Sequence, residues 1–126
     1  MAEHIQKGRL GEELAGKYLA AKGFRILESN YRYSRAEIDL IAQHGDQMVF
    51  VEVKTRSGNY SGDPESSVGN RKEEMMAMAA DHYMNENDLE TEVRFDIVSI
   101  LLKTGGHEIH HIEDAFFPYD MDLETE

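Results

Sequence analysis

The segment QMVFVEVKT, which begins at residue 47, constrains the fold more than any other part of the sequence. It is rich in valine, and the alternation of side chains along a β-strand places Val49, Val51 and Val53 on one face. Glu52 and Lys54 then project together from the opposite face. The pattern therefore predicts a strand that packs one face on a core and carries a carboxylate and an ammonium on the other.

Apolar periodicity divides the rest of the chain into helices and strands. The predicted elements are a helix from about His4 to Lys22, strands over 24–33, 37–43 and 47–55, a helix from about Glu65 to Asn87, and strands over 92–102 and 107–112. The expected apolar stripe of the first helix is Leu10, Leu14, Tyr18 and Leu19. The expected stripe of the second helix is Val68, Met75, Met78, Ala79, His82 and Tyr83. This order predicts an α/β fold with a central mixed sheet flanked by helices.

Length and composition favour one domain. At 126 residues and 40% hydrophobic content, the chain suffices for a single core. We expect this domain to span residues 1–118 and an acidic, disordered tail to follow over 119–126. The absence of cysteine excludes disulfides and thiolate metal sites. With no signal peptide and no apolar run of about 20 residues, we expect a cytoplasmic protein without membrane association.

The net charge of −12 is unevenly distributed along the chain. Residues 1–72 carry 11 Lys and Arg against 10 Asp and Glu, whereas residues 73–126 carry 2 against 15. An acidic surface repels nucleic acid, so the net charge argues against a phosphate polymer as the ligand. Because the nearly balanced first part carries the candidate site, this objection is weakened but not removed.

The preceding hairpin can place a second carboxylate on the strand face that carries Glu52 and Lys54. The sequence EIDLIAQ over 37–43 predicts a strand, and the HGD that follows it predicts a turn. If the two strands pair, Asp39 can lie beside Glu52 on the face that also carries Lys54. Two adjacent carboxylates repel, and one takes up a proton unless a cation is bound. Mg²⁺ or Mn²⁺ suits such oxygen ligands and promotes phosphodiester hydrolysis.

A D…E-x-K pattern is weak by itself, and a solvated sheet face is the alternative. On such a face Asp39 and Glu52 would pair with nearby basic residues, since antiparallel sheets often expose one side to water.

The wider pattern of segments is more specific. The matching segments are GRLGEELAGKYLAAKGFRIL, NYR, EIDLIA, VFVEVKTR, RFDIV and IHHIEDAF, with the spacing from Val68 to Lys72, and they cover most of residues 8–116. EIDLIA with VFVEVKTR resembles the PD-(D/E)XK nuclease superfamily. The whole set resembles the YraN-like family of bacterial proteins. The residue before Asp39 is Ile38, so the proline–aspartate pair of the superfamily name is absent.

The resemblance implies an α-β-β-β-α-β restriction-endonuclease-like core, similar to archaeal Holliday-junction resolvases. It implies that Asp39, Glu52 and Lys54 occupy the metal-site positions and that Glu12 joins them from the first helix. We expect the backbone carbonyl of Val53 to contribute a further metal ligand. The ammonium of Lys54 would position the attacking water or stabilise charge in the transition state.

Basic residues near the site are candidates for binding nucleic acid. Arg56, Arg71 and Lys72 could contact phosphates, and Tyr60 could stack on a base. A long solvated loop with ordinary surface cations is the alternative interpretation.

Other charged residues are expected to be structural. Glu37 is expected to pair with Arg32 or Arg35, although it could support the metal site. Arg94 and Asp96 alternate on one strand face and are expected to form an ion pair.

Three histidines near the last strand are expected to be surface residues. His110 and His111 point to opposite faces of a strand and, with His107, do not converge on one metal.

Two functions remain open on the sequence. The first is a Mg²⁺- or Mn²⁺-dependent endonuclease acting on DNA, including branched or damaged DNA, with a homodimer able to cut both strands. The second is a module that binds nucleic acid or a protein partner without cleaving it.

Overall fold

Two helices and five strands, in the predicted order, make up the part of the chain that the structure describes. The structure, a computed structural model, describes residues 2–58 and 69–117, with side chains from residue 8 onwards. Its elements are α1 (Ala2–Ala21), β1 (Arg25–Tyr33), β2 (Ala36–His44), β3 (Gln47–Ser57), α2 (Asn70–Glu86), β4 (Glu92–Lys103) and β5 (Gly106–Ile112). The predicted α/β class is therefore confirmed. The expected tail over 119–126, Val68 and Tyr60 lie outside the described residues.

The five strands form one mixed sheet in the order β1-β2-β3-β4-β5. Neighbouring strands are antiparallel except β3 and β4, which are parallel and pair from Gln47 with Glu92 to Ser57 with Leu102. A parallel pair needs a crossover connection, which α2 provides. In the described ranges, no helix is long and apolar enough to cross a bilayer.

The sheet buries a core on each face. Val49, Val51 and partly buried Val53 pack with residues of α1, which confirms the predicted valine face. The other face of β3 carries Phe50, which packs with Met76 of α2. Glu52 lies on this second face, because it is two residues after Phe50. A carboxylate in that position is thus placed next to a packed core rather than on an open sheet face.

Most of the described residues in the two predicted apolar stripes contact the core, but Leu10 and Met78 do not. Leu10 is 43% exposed and Met78 is 55% exposed, so their assignment to the buried stripes was wrong. In α1 the contact with the sheet is centred on Ala15 and Leu19, which are fully buried. A small residue lets a helix approach a sheet closely, so α1 meets the sheet along Ala15 and Leu19 while Leu10 lies to one side.

The start of α2 also differs from the prediction. The helix begins at Asn70, because Gly69 has an extended conformation with φ −64° and ψ 153°. A continuous helix that starts at Glu65, as predicted, would include Gly69 and is therefore excluded. Residues 65–68 themselves lie outside the described ranges.

Gly11 is where α1 comes closest to β3. A Cβ atom added to Gly11 would lie 1.9 Å from Thr55 Oγ1 and 3.0 Å from Thr55 Cβ. Such distances are too short for any side chain, so only glycine permits this approach. The contact fixes the height of α1 along β3 and thereby the position of Glu12, the next residue in the helix.

A matched pair of glycine substitutions tests this contact. Gly11→Ala should lower the free energy of unfolding by about 1–3 kcal/mol, since the added methyl overpacks the helix–strand contact. Gly16→Ala, in the same helix, should be neutral or stabilising by up to about 1 kcal/mol, because nothing lies within 4 Å of its added Cβ. Urea unfolding monitored by circular dichroism measures both. Equal effects of the two substitutions would contradict a special contact at Gly11.

Candidate active site

The candidate site lies where β2 and β3 separate. The two strands pair from Gln47 with His44 to Val51 with Leu40. Beyond that pair, β3 continues against β4 as far as Ser57. Just past the last pair, Asp39 Oδ2 accepts a hydrogen bond of 2.8 Å from the backbone N–H of Val53. The carboxylate thus satisfies a strand N–H that the β2 backbone no longer reaches.

The structure brings Asp39 and Glu52 together. Burial raises the pKa of Asp39 to about 8, and the charge of Glu52 and a hydrogen bond between the two side chains add to the rise. The Val53 N–H acts in the opposite direction and the charge of Glu12 in the same direction. At neutral pH Asp39 is therefore mostly protonated in the absence of another cation. Two carboxyl groups that cannot both ionise behave in this way.

Glu52 is neutralised by Lys72. The Glu52 residue is 6% exposed, and its Oε2 atom accepts a hydrogen bond from Lys72 Nζ. Lys72 belongs to the first turn of α2, so the crossover helix delivers a cation to β3. A nearly buried carboxylate without such a partner would be strongly destabilising. The sequence placed Lys72 near the site but gave no sign of this contact.

Glu12 lies beside the carboxyl pair but in a separate recess. It lines a cavity of about 240 Å³ with Arg9, Ser29 and Asn30. Burial raises the pKa of Glu12, the Asn30 side chain opposes this through a hydrogen bond, and the charges of Glu37 and Glu52 add to the rise. The charges of the other acids thus affect the pKa of Glu12, although its side chain is hydrogen-bonded to Asn30 of β1.

The remaining predicted residues continue along β3. Val53 contributes its N–H to Asp39, and Lys54 is half-buried in register with Ser99 of β4. Arg56 is half-buried two residues further along and takes part in an interaction with its surroundings, as Lys54 does.

A cavity with a volume of about 500 Å³ opens directly on the carboxyl pair. We call it the main cavity. Its wall consists of Arg35, Ala36, Glu37, Asp39, Glu52, Gly69, Arg71, Lys72, Met75 and Met76. Four of the predicted site residues line this cavity, namely Asp39, Glu52, Arg71 and Lys72. Three others, Glu12, Lys54 and Arg56, do not. Nothing in the sequence was a reason to place Arg35 or Met75 at the site. Arg35 lies just before β2 and Met75 lies on α2, so neither is close in sequence to Glu52.

The donor set of Asp39 and Glu52 fits a hard divalent cation. Such an ion prefers carboxylate oxygens, and it would remove the repulsion that now keeps a proton on Asp39. Within the described residues, no group of three or more acidic or histidine side chains stands ready to hold a metal. Glu12 is therefore close to the pair without forming a three-carboxylate cluster with it.

Glu37 joins the wall of the main cavity and is also paired as expected. Its Oε2 atom accepts a hydrogen bond of 3.1 Å from Arg32 Nε, and both side chains are substantially exposed.

A second charged cluster is structural and lies on the α1 face of the sheet. Arg94 donates two hydrogen bonds of 2.9 Å to the carboxylate of Asp96, which confirms the expected ion pair. His111 Nε2 lies 2.7 Å from Asp96 Oδ2, and the N–H of Asp114 donates to Oδ1 at 3.1 Å. Burial would raise the pKa of Asp96, but the hydrogen bonds from His111 and Arg94 lower it on balance.

The expectation that His111 is a surface residue was wrong. Its side chain is 2% exposed, whereas His107 and His110 are exposed as expected. The Nδ1 atom of His111 lies 2.8 Å from Lys22 Nζ. Because an ammonium only donates, Nδ1 accepts and Nε2 carries the hydrogen given to Asp96. Pairing with Val98 directs His111 towards the α1 face, which strand alternation alone could not decide.

Together, the sheet with a helix on each face and the acid pair at its strand separation define a mixed α/β protein with a carboxylate–lysine site. The sequence model of the "Uncharacterised protein family UPF0102" matches residues 11–100, and the chain belongs to this family. It is 47% identical to the UPF0102 protein of Christiangramia forsetii, an alignment that covers 93% of this chain and 98% of that protein. It is 42% identical to a UPF0102 protein of Flavobacterium psychrophilum, over 94% of this chain and 100% of the relative. The corresponding protein of Syntrophus aciditrophicus is 42% identical over 92% of each chain.

The raised pKa of Asp39 predicts how stability depends on pH. An unfolded aspartate titrates near pH 3.9 and the folded one at about 8. Between these values the folded protein binds more protons, so its free energy of unfolding falls as pH rises, by up to about 1.4 kcal/mol per unit. Asp39→Asn should flatten this slope in EDTA, as measured by urea unfolding from pH 4.5 to 8.

The control for this experiment is Asp46→Asn in the exposed β2–β3 turn, which should retain the wild-type slope. A slope that Asp39→Asn leaves unchanged would show that Asp39 is already ionised in the folded protein.

Proposed function

We propose that this protein is a Mg²⁺- or Mn²⁺-dependent endonuclease that hydrolyses phosphodiester bonds in DNA, and that it belongs to the PD-(D/E)XK superfamily. The observation that carries the proposal is the pair of carboxyl groups formed by buried Glu52 and half-buried Asp39, at a cavity whose wall also carries Arg35, Arg71 and Lys72. Such a pair is costly to build into a core-facing sheet position. The raised pKa of Asp39 and the nearby cations are features that cluster at functional sites.

Each side chain of the site has a distinct task in this proposal. Asp39 and Glu52 hold the metal, and the amide of Val53 fixes the orientation of the Asp39 carboxylate. Glu12 adds negative charge from the adjacent recess. The ammonium of Lys54 lies on the same strand face as Glu52, where it can orient water or stabilise the developing charge on the phosphate. The carbonyl of Val53 is proposed as a further metal ligand.

Bound Mg²⁺ would supply Lewis acidity at the phosphate and lower the pKa of a coordinated water. The chain's own residues then determine access and orientation. Arg71 and Lys72 of α2, with Arg56 of β3, bind phosphates of the DNA strand, since these cations lie in or close to the main cavity. The hydrogen bond to Glu52 holds the ammonium of Lys72 beside that carboxylate, where it would also contact a phosphate. A two-fold dimer would allow cleavage of both strands.

A non-catalytic nucleic-acid-binding module is the second candidate. The contact between Lys72 and Glu52 favours it, because an ammonium already neutralises one of the two metal-binding carboxylates. In this case the carboxyl groups and Lys72 would stabilise the strand separation, and the exposed arginines would bind the phosphate backbone. The acidic second half of the chain offers a surface for a basic protein partner.

Cleavage assays distinguish the two candidates. The test uses labelled single-stranded, duplex and branched DNA, with RNA counterparts, in Mg²⁺ or Mn²⁺. Wild-type protein should cleave at least one of these DNA substrates, and Asp39→Ala and Glu52→Ala should each lower the rate by roughly 100-fold or more. Lys103→Gln, at the far end of β4, is the control and should retain the rate. Binding by all proteins without cleavage of any substrate would support the non-catalytic module.

Metal binding can be tested separately from cleavage. A ligand that binds only the folded state at 100 times its Kd stabilises it by about 2.7 kcal/mol, so Mg²⁺ at saturating millimolar concentration should raise the Tm. Asp39→Ala should abolish the Mg²⁺-induced rise, whereas His110→Ala, on the exposed edge strand, should retain it. Differential scanning fluorimetry with and without EDTA measures the shift. A rise of equal size in Asp39→Ala would place the bound metal elsewhere.

A further inference from the structure

The main cavity has an apolar wall that phosphodiester cleavage alone does not require. Met76 and Ala36 are buried and Met75 is half-buried, and all three line the same cavity as Asp39 and Glu52. Met76 belongs to the core, and Met75 packs against that core from the rim. The cavity therefore offers a ligand an apolar surface immediately beside the two carboxyl groups.

Two arginines add a cationic rim to this apolar wall. Arg35 lies just before β2 and Arg71 lies in the first turn of α2, and both are exposed. Neither forms an ion pair with any residue in the described ranges. A guanidinium can hold a phosphate through two parallel hydrogen bonds, and the positive end of the α2 dipole favours an anion near Arg71. The rim can therefore contact phosphates from two different elements.

A continuous duplex cannot use both features. Its bases remain stacked inside the helix, so a recessed apolar wall meets a base only if one nucleotide leaves the stack. An unpaired base has large apolar faces, and the flexible methionine thioether packs well against aromatic rings. The volume of about 500 Å³ lies in the range of about 300–1,000 Å³ typical of pockets that bury a small molecule. The cavity thus matches a single nucleotide in size and in chemistry.

We infer that the main cavity binds one unpaired nucleotide of a DNA strand, with its base against Met75 and its phosphates on Arg35 and Arg71. The inference rests on the proposed function for the choice of DNA as the polymer. It adds the form of DNA that the site selects, namely single-stranded, bulged or branched regions in preference to continuous duplex.

Binding in EDTA measures this selection without cleavage. Wild-type protein is titrated into fluorescein-labelled DNA of equal length in three forms: a fully paired duplex, the same duplex with one extra unpaired base, and a single strand. Only an unpaired base can leave the stack and reach the apolar wall, so the bulged duplex should bind about 10-fold more tightly than the paired one. Fluorescence anisotropy gives the Kd of each complex.

Substitutions at the wall and the rim separate base from phosphate contacts. Met75→Gln, of similar length but polar, should reduce the preference for the bulged duplex, whereas Met75→Leu should retain it. Arg71→Gln should weaken binding of the bulged duplex and lower the salt dependence by about one counterion. Lys103→Gln should leave every Kd unchanged. Thermal unfolding of each variant verifies that it is folded at the temperature of the titration.

Each outcome decides the inference. A preference of about 10-fold that Met75→Gln removes and Met75→Leu retains supports it. Equal Kd values for the paired and bulged duplexes, no binding of any unpaired form, or a preference that Met75→Gln leaves intact would overturn it. The endonuclease proposal is judged by the cleavage assay instead. Selective binding without cleavage would therefore leave the inference standing and remove only the nuclease function.

Discussion

The hydrogen bond between the Asp39 carboxylate and the Val53 backbone N–H is the interaction on which the site depends. It occurs just where the β2–β3 ladder stops, so β2 can leave β3 without abandoning an unsatisfied strand amide. The separation opens the main cavity between the strands. It also sets Asp39 against Glu52, the residue that immediately precedes Val53. Cavity, acid pair and strand separation therefore have a single geometric origin.

Electrostatic balance explains how this acidic pair persists beside a hydrophobic core. Asp39 keeps a proton because burial and Glu52 raise its pKa, and Glu52 is hydrogen-bonded to the ammonium of Lys72. Within the described residues, no buried side-chain nitrogen or oxygen lacks a hydrogen-bond partner. A proton on Asp39 and the ammonium of Lys72 thus offset the repulsion within the acidic pair. The pair is therefore compatible with the adjacent hydrophobic core.

Local periodicity predicted the strands well, and contacts between distant elements explain what it missed. The alternation around Glu52 identified the valine face and the polar face of β3, because a strand's own geometry fixes both. The predicted stripe of α1 was right for Leu14, Tyr18 and Leu19 and wrong only for Leu10, which lies to one side of the contact with the sheet. The burial of His111 depends on how β5 pairs with β4. The contact between Lys72 and Glu52 depends on the path of the crossover helix. Neither this contact nor the burial of His111 can be predicted from residues that are adjacent in the sequence.

The Asp96 cluster bears on how far the chain can be shortened. The sequence model of the family matches residues only as far as 100, but Asp96 obtains two of its hydrogen bonds from His111 and Asp114. A truncation after the family pattern would keep Arg94 and Asp96 in the sheet, remove β5 and expose half of their network to solvent. A buried aspartate that plays no part in the candidate site thus ties β5 and the residues just after it to the part of the sheet that the family model covers.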